Sequence, residues 1–259
     1  MIKVTRIQIP SLPTEKPRRL YVYLPRGYEK SCERYPVVYM FDGHNVFYDS
    51  HATYGKSWGM KQYLERSRRK VILVAVECNP EGTKRLSEYS PWDFHGSFIG
   101  DIEGRGRATM EWFTKELKPY IDSEYRTLPE REHTMIAGSS MGGLMALYAA
   151  VEYNAVFSRA AALSPCFWVS PRKLNDLIRS TRLASPTMVY IDYGGAEEGA
   201  ELIDFKAVFN TAKLLTASGA FVEARIVPGA KHSEAYWEKR IPIFFDYLAF
   251  LTNEDSSMR

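Results

Sequence analysis

Six short apolar runs, each separated from the next by residues of helical period, constrain this chain more than any other feature of its sequence. They lie at residues 37–41, 71–76, 134–137, 160–163, 188–191 and 221–227. Unbroken apolar runs of this length suit strands covered on both faces, as the strands of a parallel sheet are. Helical patterns occupy 57–69, 108–120, 141–153, 171–178, 205–218 and 234–251, and Pro242 is expected to kink or divide the last of them. Strand and helix in alternation require parallel pairing through crossover helices, which gives a three-layer α/β/α sandwich around a mostly parallel central sheet. Two further strands, at 4–9 and 20–24, flank the turn sequence PSLPTEKP and read as an antiparallel N-terminal hairpin. A single α/β domain covering residues 1–259 is the expectation.

Composition narrows what such a domain can do. Hydrophobic residues at 45% and charged residues at 25% are ordinary globular values, so the chain can build a packed core. Its 34 Lys and Arg against 31 Asp and Glu leave a formal charge of only +3, which gives no basis for nucleic-acid binding. The densest basic run, RSRRK at 66–70, closes a helical pattern, where cations suit the helix C-terminus. No stretch resembles a leader peptide or a membrane span, so no membrane partner is expected. Cys32, Cys78 and Cys166 are widely spaced and without a CxxC pair, which suggests neither disulfides nor zinc and fits a reducing cytoplasm. The long segment 78–107, rich in glycine, proline and aromatic residues, is the one stretch outside the alternation. The sequence carries no signal that decides between a monomer and a homo-oligomer.

The chemistry is concentrated after the run at 134–137, where the chain reads Gly138-Ser139-Ser140-Met141-Gly142-Gly143 and a helical pattern begins. This is G-x-S-x-G in a strand-turn-helix setting, the nucleophile turn of the α/β-hydrolase fold. A strand that turns sharply into a helix strains the central residue and leaves no room for side chains at the flanking positions, hence the glycines. Ser140 is then presented at the C-terminal edge of the sheet. The helix N-terminus beside it, with the Met141 N–H, is directed at the point where a carbonyl oxygen would gain charge.

A serine hydroxyl needs a base. His232, in the turn PGAKHSE after the last strand, lies at the same sheet edge and at the C-terminal place this fold uses. His133 and His51 read as structural, and His44 and His95 as loop residues near the same edge. The acid should follow the strand at 188–191, where DYGGAEE supplies Asp192, Glu197 and Glu198; Glu197 sits at the loop depth from which a carboxylate reaches an imidazole, so it is the choice, with Glu198 second and Asp192 third. The loop after the run at 37–41, Phe41-Asp42-Gly43-His44-Asn45, is placed to give a second oxyanion donor: the His44 N–H, or alternatively Asn45.

At this point the chain resembles the esterase D-like family of α/β-hydrolases, the putative esterases, which include enterochelin, feruloyl and acetylxylan esterases. The segments that carry the resemblance are VVYMFDGHNVF, RLSEYSPW, ELKPYIDSEYRTL, AGSSMGGLMALYAA, LSPCFW and KHSEAYWEKR, spread over nearly the whole chain. The resemblance implies a triad of Ser140, His232 and an acid from the 192–198 loop, and supports His44 as oxyanion donor. It departs at the acid, where the family's short G-T-x-E/D segment is replaced by the longer GGAEEGAELIDF.

The expected activity is hydrolysis of a small-molecule carboxylic ester through an acyl-enzyme, without metal or cofactor. Carbohydrate, siderophore and small acyl esters all remain open. Acyl transfer to an alcohol or sugar, and a non-catalytic binding module, are the competing readings. Trp92 and Trp168 are candidate substrate-binding residues, since ligand pockets are largely apolar and aromatic.

Overall fold

The structure, a computed structural model, describes residues 1–9, 16–97, 99–198 and 202–249. The chain opens with β1 (Ile2–Ile7) and β2 (Arg18–Tyr23), followed by β3 (Val37–Met40), α1 (Met60–Ser67), β4 (Ile72–Val76) and the short α2 (Lys84–Glu88). A small hairpin, β5 (Phe94–Gly96) and β6 (Gly100–Ile102), precedes α3 (Gly106–Trp112) and α4 (Lys118–Glu124). Strand and helix then alternate through β7 (Thr134–Ser139), α5 (Met141–Glu152), β8 (Arg159–Leu163), α6 (Pro171–Ser180), β9 (Met188–Gly194), α7 (Leu202–Ala217) and β10 (Phe221–Val227). Two short helices, α8 (Glu234–Glu238) and α9 (Ile241–Tyr247), follow. Among the described residues no helix is long and apolar enough to cross a membrane.

The main sheet has eight strands in the order β1-β2-β4-β3-β7-β8-β9-β10. From β4 to β10 every neighbour is parallel, while β1 and β2 pair antiparallel, in register from Ile2↔Tyr23 to Ile7↔Arg18, and β2 runs antiparallel to β4. The mostly parallel sheet and the antiparallel N-terminal pair are thus as the sequence implies; most of the turn between β1 and β2 lies outside the described residues.

Side-chain alternation divides the core into two layers. Val37, Tyr39, Ile72, Val74, Ile136, Ala160 and Ala162 face α3, α4, α5, α6 and α7, whereas Val38, Met40, Leu73, Ala75, Met135, Ala137 and Ala161 face α1, α8 and α9. Helix α5 is buried from Met141 through Val151, so it is apolar all round rather than amphipathic, as a helix enclosed by protein must be. The run of alanines in β8 lets α5 approach the sheet closely.

Two helices differ in detail from the sequence pattern. The element expected at 108–120 runs from Gly106 to Glu124 and contains a π turn at Phe113–Leu117. Pro119 explains it: the ring lacks an N–H and would clash with the carbonyl four residues back, and a wider turn relieves both. The pattern at 234–251 is divided into α8 and α9, with Pro242 in the first turn of α9; its last residues lie outside the described ones. The segment 78–107 contains α2 and the β5–β6 hairpin, and its Arg85 and Tyr89 reach back to Asp42 at the end of β3.

Candidate active site

Because β3, β7, β8, β9 and β10 are parallel, the residues that follow each of them gather along one edge, where open α/β sheets place their ligands. Ser140 is the turn between β7 and α5, with φ 59° and ψ −123°, a backbone region that side chains other than glycine's rarely occupy. The surroundings hold it there. Its N–H donates to the Leu163 carbonyl at 2.9 Å, and its own carbonyl accepts from the N–H groups of Leu144 and Cys166, both at 3.1 Å. The flanking glycines are required sterically: a Cβ on Gly138 would lie 2.6 Å from the Gly142 backbone, and one on Gly142 would lie 3.0 Å from Phe41 Cβ.

His232 follows β10 and its side chain is 39% exposed. Its Nδ1 is 2.6 Å from Glu197 Oε2. Glu197 is buried, and its other oxygen, Oε1, accepts hydrogen bonds from the Gly194 N–H at 2.8 Å and from the Ser164 hydroxyl. Burial alone would raise its pKa; donation from His232, Ser164 and Gly194 outweighs this and holds the carboxyl below its usual range. An ionised Glu197 facing Nδ1 fixes the proton on that nitrogen and leaves the Nε2 lone pair for another partner.

Ser140 and His232 line one cavity of about 980 Å³, together with Cys166, Trp168, Tyr193, Glu197 and Lys231. Among the described residues no hydrogen bond joins the two; Ser140 Oγ is instead 3.3 Å from Cys166 Sγ. Burial raises the Cys166 pKa, so the thiol keeps its proton. Rotation of a partly buried serine about one bond takes picoseconds to nanoseconds, and catalytic hydrogen bonds often tighten only when substrate is bound.

The three candidate carboxylates, Asp192 within β9 and Glu197 and Glu198 after it, have separate fates. Asp192 is fully buried, receiving Arg240 Nη1 at 2.7 Å and the Tyr190 hydroxyl at 2.7 Å, and it is turned away from His232 into an ion pair. Glu198 is exposed on the cavity wall. Of the candidates weighed, Glu197 is the one in contact with the histidine.

His44 lies in the turn after β3, which Gly43 allows to sit against β4: a Cβ there would be 2.7 Å from the Ala75 carbonyl carbon. The His44 ring is buried, with Nε2 3.0 Å from Thr53 Oγ1. Met141 is the first residue of α5, so its N–H has no acceptor within the helix. Asn45 is otherwise engaged, donating to Glu234 Oε1 at 3.1 Å and accepting from the Thr53 N–H at 2.9 Å. Trp168 lines the cavity and is 53% exposed, its ring packed edge-on against Phe94. Trp92 lies outside the cavity lining, where its ring packs on Tyr148 at 5.7 Å between centroids. His51 sits against Tyr21 and Tyr48, and His95 pairs with Asp101 on the β5–β6 hairpin.

Ligand atoms of Asp42, His44 and Cys78 fall within 4.8 Å of one another. The set is poorly suited to a cation: Arg85 takes both Asp42 oxygens at 2.7 Å, and burial keeps the Cys78 thiol well above its ordinary pKa. Asp42, buried, and Arg85, partly exposed, form a brace beneath the His44 turn. Sequence reasoning passed over this pair, and over Ser164 and Arg240 behind Glu197, although all lie in segments that carry the family resemblance; Trp237, a candidate pocket aromatic by sequence, instead donates to Ser164. A charged residue opening the apolar sequence Ile-Pro-Ile-Phe-Phe was the available signal for Arg240.

The sheet order and the serine turn at its edge define an α/β-hydrolase. The chain belongs to the family described as Putative esterase, whose model matches residues 11–243, and it is an esterase. Among curated proteins it is 26% identical over 186 residues to YbbA, an uncharacterized protein of Bacillus subtilis, covering 71% of this chain and 70% of that one. It is 28% identical over 143 residues to Esterase Rv1288 of Mycobacterium tuberculosis, a match spanning 55% of this chain and 28% of that longer protein. Among solved structures, an IroE-like serine hydrolase from Shewanella oneidensis superposes with a TM-score of 0.75 at 21% identity, covering 96% of this chain and 79% of that one. A ferulic acid esterase gives 0.69 at 17% identity, covering 96% and 97%.

Proposed function

We propose that the protein hydrolyses carboxylic esters through an acyl-enzyme on Ser140. Ser140 Oγ attacks the ester carbonyl while His232 Nε2 takes its proton; Glu197 holds the imidazole and balances the charge it gains. The N–H groups of Met141 and His44 receive the oxyanion. The tetrahedral intermediate collapses, the alcohol leaves with the proton from His232, and water then releases the acid by the same steps. The observation that carries this reading is the 2.6 Å contact between His232 Nδ1 and Glu197 Oε2 at the rim of the cavity that Ser140 lines.

Water is favoured over an alcohol as acceptor because the His232 side chain is 39% exposed, so the base that would activate the acceptor is open to solvent. Trp168, half exposed on the cavity wall, offers a face on which an aromatic acyl group can stack. This agrees with the likeness to a protein described as a ferulic acid esterase. A cytoplasmic location, one domain over the whole chain, and independence of metal and cofactor belong to the same proposal. The test is a panel of p-nitrophenyl and methyl esters, from acetyl to feruloyl, assayed with wild type and Ser140→Ala. Wild type should turn over at least one ester, and Ser140→Ala should lose several orders of magnitude in kcat. Undiminished hydrolysis by Ser140→Ala would end the proposal.

A further inference from the structure

Ser164, the residue after β8, is 1% exposed and has φ 46°, in the left-handed region. Three groups surround its hydroxyl: Trp237 Nε1 at 3.1 Å, Arg240 Nη1 at 3.3 Å and Glu197 Oε1. A hydroxyl has one proton and two lone pairs, whereas indole and guanidinium N–H groups only donate. Trp237 and Arg240 therefore occupy the lone pairs, and the single proton has one destination, Glu197. No rotation of the hydroxyl can reverse this bond while its two donors stay in place. Arg240 itself cannot drift, because it is 1% exposed and bound to Asp192 Oδ1 at 2.7 Å. A permanent cation thus stands behind the serine and polarises its O–H toward the carboxylate.

We propose that Ser164, backed by Arg240 and Trp237, is a positioning residue for the base: it pins Glu197 Oε1 so that Oε2 faces His232 Nδ1. The proposal rests on the reading of Ser140, His232 and Glu197 as a triad. It also makes the buried Asp192–Arg240 pair the structural anchor of the donor to Glu197. The groups facing Glu197 are His232 from the loop after β10, Ser164 and Cys166 from the loop after β8, and Tyr193 and the Gly194 N–H from β9.

The test is Ser164→Gly, which removes the hydroxyl while suiting the positive φ, with Ser164→Ala beside it. For each purified variant kcat and KM are measured against pH with p-nitrophenyl acetate, and the folded fraction is followed by near-UV circular dichroism. Loss of one hydrogen bond to a charged group should lower kcat by about tenfold and leave KM within about twofold. The acid limb of kcat/KM should move to higher pH, because a carboxylate with one donor fewer leaves the Glu197–His232 pair holding its proton longer. An unmoved acid limb overturns the proposal, whether activity is unchanged or falls only with the folded fraction. Ser140→Ala separates the two readings: if it is inactive while Ser164→Gly matches wild type, only the positioning role fails; if it stays active, the triad reading fails.

Discussion

Asp192, within β9, and Glu197, just after it, are both buried and are held in opposite ways. Asp192 faces a permanent cation, Arg240, at 2.7 Å, and takes the Tyr190 hydroxyl on its other oxygen. Glu197 faces His232, a group that can gain and lose a proton, and directs one oxygen at it while Ser164 and Gly194 hold the other. A buried carboxylate paired with arginine is scaffold; one paired with a solvent-reaching histidine can do chemistry. Their titration separates as well. Burial raises the Asp192 pKa despite Arg240, whereas hydrogen bonds lower that of Glu197 despite burial.

The largest expected effect falls on Glu197. Glu197→Gln keeps the shape but presents His232 with an amide, and kcat should fall by roughly 10⁴-fold with the fold intact, the size known for the corresponding change in a serine protease triad. Steady-state kinetics with circular dichroism would check it; a loss under tenfold would mean that Glu197 is scaffold too.

Asp192→Asn should do the reverse. It leaves Arg240 buried without a counter-charge, and breaking a buried pair costs about 3–5 kcal/mol. Urea unfolding should show that loss, while the folded fraction keeps far more activity than Glu197→Gln. A smaller contrast lies in acid. Since the folded-state pKa of Glu197 is below its unfolded value, its contribution to stability is present above the ordinary carboxylate range and is lost as pH falls through the depressed value. Urea midpoints measured down that range should fall less steeply in Glu197→Gln than in wild type. The smallest effect belongs to Glu198, exposed on the cavity wall: Glu198→Gln should keep kcat within about twofold, the usual limit for a surface change.

Much of this edge was legible in the sequence because it depends on period and order. The alternation of apolar runs and helical patterns announced the parallel sheet, and the glycines around Ser140 announced a turn that tolerates no Cβ on its flanks. The place of His232 after the last strand followed from those two. What could not be read was the pairing of groups distant in sequence. Ser164 and Glu197 are 33 residues apart, Arg240 and Asp192 are 48 apart, and neither pair leaves a periodic trace. The same limit applies to Trp92 and Trp168, two tryptophans equally plausible on composition, of which only Trp168 reaches the cavity. Cys166 beside Ser140 was likewise visible only once β7 and β8 were placed side by side.

The central claim is that Ser140 is the nucleophile of the proposed hydrolysis. A fluorophosphonate probe incubated with the folded protein, followed by proteolysis and mass spectrometry, tests it most directly. One adduct per chain, on the peptide that contains Ser140, lost in Ser140→Ala and slowed in Glu197→Gln, is the expected result. An adduct on another residue, or none on wild type that hydrolyses esters, would contradict it.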